Sequence, residues 1–179
     1  MTDKQDLTNL FSSLDAVLKD TDLADVTAES SGFDELPDGY YLCELEKAEI
    51  KESKTSHQPM AAMQFNIVDN GYGVDAEGNY FEIKNVKNRK IFQYYVLADS
   101  QKVKRFVTDM LKFEGEKEGE PILPKEAFTT SETVVDALDA LVGMRLYIQS
   151  STTEKDDGTK SVWKNLISWK RVKALELPN

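Results

Sequence analysis

The chain has 179 residues, 40 % of them apolar, and a net charge of −10, which suits one domain with a core of its own and a short appendage. No stretch of sixteen or more consecutive apolar residues occurs, so a membrane-spanning helix is excluded, and the opening Met1-Thr2-Asp3-Lys4-Gln5-Asp6 lacks the basic start of a secretory signal. A single cysteine, Cys43, and a single histidine, His57, rule out an internal disulfide and an ordinary Cys/His zinc site, and the expectation is a cytosolic protein.

In chain order, Leu7, Leu10, Phe11, Leu14, Val17 and Leu18 recur at helical spacing and predict a short amphipathic helix. Leu7, Leu10, Phe11 and Leu14 are its candidate partner-docking residues, because a helix this short is marginal in water unless its apolar stripe docks on something. Residues 20–35 have no sustained period and read as a linker. Leu36-Pro37-Asp38-Gly39 is turn chemistry and marks the start of the body. Tyr41, Cys43 and Leu45 then alternate with polar residues, and the apolar phase slips by one to Ala48 and Ile50, which predicts a bulged and bent first strand. Ala61, Met63, Phe65 and Ile67 alternate cleanly as a second strand. Asp69–Asn79, with three glycines, reads as a long loop. Tyr80–Val86 is a short strand and Arg89–Leu97 a stronger one.

Val103, Phe106, Val107, Met110 and Leu111 predict a helix over 100–113, followed by a charged excursion at Glu114–Glu120. Ser131 is expected to cap a second helix that Gly143 stops. Met144–Thr153 and Ser161–Val172 form a hairpin around Glu154–Gly158, and a short tail follows. This order predicts a mainly β fold with helices: a five-stranded oligonucleotide-binding-type barrel with a helical insertion between its third and fourth strands. An open antiparallel α+β sheet would give the same order. The domains expected are an acidic helix and linker over 1–35, the body over 36–173, and a tail over 174–179.

The negative total hides a partition. Residues 1–36 carry nine acids against two lysines, whereas 80–113 carry eight basic side chains against three acidic, and 145–173 seven against three. Both basic stretches also hold rings: Tyr80, Phe81, Phe92, Tyr94 and Tyr95 in one, Tyr147, Trp163 and Trp169 in the other. Cations that track phosphates and rings that stack on bases are what a single-strand binder needs. Solvated faces that differ in sign would produce the same counts.

Several segments together resemble a known family. Leu36-Pro37-Asp38-Gly39-Tyr40-Tyr41 and Lys47-Ala48-Glu49-Ile50-Lys51-Glu52-Ser53-Lys54 are similar to the opening of a family of small phage-encoded proteins. Pro59-Met60 leading into Phe65-Asn66-Ile67-Val68 is similar to that family's second strand, and Arg89-Lys90-Ile91-Phe92 to its third. Leu141-Val142-Gly143-Met144-Arg145-Leu146 resembles the start of its fourth, and Asp156–Trp169 its closing hairpin and aromatic strand. The resemblance covers residues 36–172 and implies single-stranded DNA binding through an oligonucleotide-binding barrel, in phage replication or recombination within the host bacterial cytoplasm. The acidic head, the loop over 71–79 and the short mixed tail depart from the family's pattern.

The expected function is therefore non-enzymatic, sequence-tolerant binding of single-stranded DNA, without cofactor or metal. Lys84, Lys87, Arg89 and Lys90 would neutralise phosphates, with Lys164, Lys170 and Arg171 across the groove. Tyr80, Tyr94 or Tyr95, and Trp163 would stack on bases. A replication or recombination protein is a further possible partner, and the head's stripe could dock on its own domain, a sister subunit or another protein. The alternative is a phage protein-interaction module or nucleic-acid mimic acting on a host protein, suggested by the acidic total and the docking-ready head. A minor alternative, a metal-dependent nuclease, would use Glu49-Ile50-Lys51 or Glu82-Ile83-Lys84 with Asp69.

Overall fold

A computed structural model describes residues 4–20, 36–114 and 120–178. The chain divides into two units, Met1–Glu35 and Leu36–Asn179. In the first, helix α1 spans Lys4–Asp20 and bears the predicted stripe, with Leu10, Phe11, Leu14, Val17 and Leu18 all exposed. The side chain of Leu7, the linker over 21–35 and most of the excursion after Glu114 lie outside the described residues.

The second unit is built on β1, Gly39–Glu52, which is long enough to serve two sets of neighbours. Its first half pairs with β6 (Arg145–Glu154), from Gly39↔Ser150 to Glu44↔Arg145. Its second half pairs with β2 (Pro59–Ile67). The predicted bulge falls at Glu46: the ladder with β2 runs to Leu45↔Phe65 and resumes at Lys47↔Gln64. One extra residue reverses the phase, so Tyr41, Cys43 and Leu45 point inward before it and Ala48 and Ile50 after it. Burial pushes the Cys43 thiol up to about 12, which makes this lone cysteine a core residue that holds its proton at neutral pH.

Beyond β2 lies β5 (Lys90–Val96), and beyond β6 lies β7 (Lys160–Ile167). Between β5 and β6 the chain forms α2 (Ser100–Met110) and α3 (Ser131–Leu141), whose Phe106, Met110, Leu138 and Leu141 close the core formed by Phe65, Ile67, Leu146 and Ile148. The α3 cap is Thr130, one residue before the expected Ser131, and Thr130 and Thr133 exchange hydrogen bonds in a capping box.

Three expectations are corrected. The fold is a mixed α+β arrangement of seven antiparallel strands in one open sheet, which is the alternative expected from the element order, and not the closed five-stranded barrel. Closure would need a ladder between β5 and β7. Instead the Gln93 side-chain amide donates to the Lys164 carbonyl (2.7 Å) and the Lys112 ammonium to the Leu166 carbonyl (2.9 Å), so side chains satisfy acceptors on the β7 edge.

The long loop at 69–79 is instead a hairpin: β3 (Gly71–Val74) pairs with β4 (Tyr80–Ile83) and touches β1 at Tyr40↔Tyr72. The glycines serve close packing here, because Tyr41 lies against Gly71 and Phe81 against Gly73. A Cβ at Gly71 would overlap the ring of Tyr41, which is fully buried, whereas one at Gly73 would meet Phe81, whose half-exposed ring can turn away. Gly71→Ala is expected to cost about 1–3 kcal/mol. Gly73→Ala should stay within ~0.5 kcal/mol of the parent. Denaturant midpoints check this ranking, and the reverse order would refute the packing of the hairpin.

The closing strand also ends early. Ser168 accepts a hydrogen bond from the Arg171 N–H and starts α4, Trp169–Leu175. Trp169, Lys170 and Arg171 are therefore helical, and α4 runs across the boundary expected at 173/174. No helix among the described residues is long and apolar enough to cross a membrane.

Candidate nucleic-acid interface

The site grows out of strand alternation on β5. Ile91 and Tyr95 face the core, and Phe92 and Tyr94 face outward at 52 % and 55 % exposure. These two rings lie nearly parallel, with centroids 6.5 Å apart and planes 6° apart. Polar and charged side chains surround the two rings. In register, Phe92 sits opposite Gln64 and Tyr94 opposite Ala62 on β2. Across β2, the bulge has put Lys47, Glu49 and Lys51 opposite Gln64, Ala62 and Met60. The result is a depression of about 140 Å³ with rings on one side and lysines on the other. The Lys51 ammonium stands 5.9 Å from the centroid of the Tyr94 ring, within cation–π reach.

Not every cation here is available. The Lys90 ammonium donates to Glu46 Oε1 (2.6 Å) and Asn66 Oδ1 (2.9 Å). That hydrogen bond holds the Glu46 carboxyl below the usual range, so the pair contributes little net charge. Lys47 and Lys51 supply the positive rim, partly offset by Glu49.

The sequence-predicted residues do not all converge on this face. Tyr94 lies at its centre. Tyr95 is a correction: its ring packs on Phe106 at 5.4 Å and its hydroxyl donates to Asp109 Oδ2 at 2.8 Å. Burial, reinforced by the Asp109 charge, raises its pKa and keeps it a neutral core donor. Tyr80 is half-buried and its hydroxyl donates to the Leu175 carbonyl, anchoring α4 to β4.

Lys84, Lys87 and Arg89 lie in the β4–β5 connection, which Asn88 and Arg89 tie to the end of β2 through backbone bonds with Ile67. Arg89 is five strand positions from Tyr94, roughly 17 Å at strand rise. Trp163 and Lys164, neighbours on β7, point to opposite faces: the Trp163 indole donates to Thr153 Oγ1 (2.9 Å), and the Lys164 ammonium to Ser150 Oγ (2.7 Å). Lys170 and Arg171 are exposed on α4, whose Trp169 meets Tyr147 edge-on at 5.6 Å.

Phe92, counted among the rings of the basic stretch but not assigned to stacking, and Lys47 and Lys51, not assigned to phosphates, are the residues missing from the predicted set. Their signal is weak, because β5 is apolar on both phases and the two lysines reach the outer face only through the bulge. The nuclease set is also dispersed. Glu49 is on β1, Glu82 on β4 accepts from the Asn70 side chain (2.7 Å), and no group of three or more possible metal ligands occurs among the described residues. His57 is exposed and bonded to Glu52 at 2.7 Å. No protein-family model matches the chain, and none of the curated proteins matches it.

Proposed function

We propose that this chain is a non-enzymatic, sequence-tolerant binder of single-stranded DNA, acting in phage replication or recombination. The observation that carries the reading is the exposed, parallel pair Phe92 and Tyr94 with Lys51 beside it, which matches what unpaired bases and their phosphates require. The order supports it: apart from the β3–β4 hairpin between β2 and β5, the chain runs three strands, helices and two strands, the succession also expected of an oligonucleotide-binding fold, here in an open sheet. The phage setting rests on the family resemblance.

Titration of a dye-labelled oligothymidylate, followed by anisotropy, tests the reading. Binding that weakens with rising salt and discriminates against duplex DNA is expected, whereas no binding at low salt would sink it. A second reading is favoured by α1, whose exposed Leu10, Phe11 and Leu14 suit a protein partner in replication or recombination, or a host protein that the chain occupies as a module or mimic. Salt-resistant binding to a protein, without DNA affinity, would support that second reading.

A further inference from the structure

Tyr94 is shared by two depressions. Besides the platform, it lines a groove of about 250 Å³ whose other walls include Gln93 of β5, Lys102, Arg105 and Asp109 of α2, and Lys164 of β7. The periodicity of α2 explains the composition. Phe106 and Met110 take the buried face, so Lys102, Arg105 and Asp109, spaced by three and four, share a stripe along the groove.

The charge of this wall can be followed group by group. Asp109 has both oxygens engaged, one by the Tyr95 hydroxyl and the other by the Lys112 ammonium at 2.7 Å, so its charge is balanced before any ligand arrives. Lys102 faces Asp99 at 3.9 Å, but both side chains are more than half exposed, and such a pair is worth little. The Lys164 ammonium donates to Ser150 Oγ at 2.7 Å and lines the same groove. Arg105 makes no ion pair among the described residues. Three cations thus surround a space whose one acid is neutralised, and the shared wall is a base-sized ring.

We infer that this groove receives backbone phosphates of the strand as it leaves the Phe92–Tyr94 platform, so that the strand crosses β5 from the Lys47–Lys51 side toward α2. The inference rests on the single-strand reading and adds a path and a phosphate subsite to it. It moves the phosphate contacts from the Lys84–Lys90 segment to Lys102 and Arg105, with Lys164 common to both schemes.

The test is the salt dependence of oligothymidylate binding by Lys102→Gln/Arg105→Gln. Both side chains are exposed, glutamine is a good helix former, and the Asp99 cap uses the backbone N–H of Lys102, so folding should be retained. Two lost phosphate contacts should flatten the log–log slope by about 1.4, at roughly 0.7 each, with thermal stability unchanged. Lys84→Gln/Lys87→Gln removes the same charge elsewhere and should leave the slope near its parent value. Equal flattening by both pairs would overturn the inference, because only the general field would then be acting.

If the parent binds no oligothymidylate at low salt, the single-strand reading fails. If the parent binds but the α2 variant keeps its slope, the groove inference alone fails. Pyrophosphate separates the strand's phosphates from a free anion. Displacement of the oligonucleotide no better than by ionic-strength-matched sulfate supports the strand. Pyrophosphate binding that the α2 variant loses, with an unchanged DNA slope, refutes it.

Discussion

Phe92→Ala/Tyr94→Ala should abolish most of the affinity for single strands while leaving the fold intact. Stacking on one aromatic side chain is worth about 1–3 kcal/mol per base, so two platforms together predict a loss of ~2–6 kcal/mol. At about 1.4 kcal/mol per tenfold, that is between roughly thirtyfold and twenty-thousandfold in Kd. The rings are half exposed, lie beside each other on the outward face and are not part of the buried core, so unfolding should move little. The substitutions remove no cation, and the slope of affinity against salt should therefore stay where it was. This pattern, a large loss at constant slope, is opposite to that expected for the α2 lysine and arginine. Phe92→Tyr/Tyr94→Phe keeps both π-faces and should restore most of the binding. A double alanine variant that binds like the parent would remove the platform from consideration.

What the sequence discloses and what it withholds follows from the range of the interactions. The bulge in β1 is legible because a slip of one residue in the apolar phase, from Leu45 to Ala48, has few other causes. The clean alternation of β2 and the stripes of α2 and α3 are legible for the same reason: burial on one face imposes a period. The β3–β4 hairpin is not, since Gly71 and Gly73 look like loop residues until the Tyr41 and Phe81 rings that cover them are known. The end of β7 is also obscured. Ile167 and Trp169 continue an apolar alternation, and only the Ser168 hydroxyl, bonded to the Arg171 N–H, turns the chain into α4.

The candidate site suffers most from this. Strand β5 is apolar on both phases, and its inward face is decided by α2, where Phe106 packs on Tyr95. The cations that meet around Tyr94 come from β1, α2 and β7, far apart in sequence. The basic run Lys84–Lys90, conspicuous in the sequence, spends Lys90 on Glu46 and leaves Lys84 and Lys87 toward the other end of β5.

The two faces of β2 and β5 can be told apart with one residue type. Phe65, on β2, is fully buried, pairs with Leu45 and Ile91, and stacks on Phe113 with centroids 6.4 Å apart. Phe92, on β5 opposite Gln64, projects the other way. Phe65→Ala deletes a ring from a close-packed interior, which loses its transfer free energy and leaves a cavity, together about 3–5 kcal/mol. For a domain of this size that corresponds to a fall in Tm of roughly 6–20 °C. Phe92→Ala removes a half-exposed ring and should change stability by no more than ~0.5 kcal/mol. DNA binding should show the reverse order: weakened by Phe92→Ala, and near the parent value for Phe65→Ala at temperatures where that variant remains folded. Calorimetry with parallel anisotropy titrations measures both quantities on the same samples. If Phe92→Ala lowers Tm as far as Phe65→Ala does, the outward face of β5 is buried in solution, and a surface buried in solution is closed to a strand.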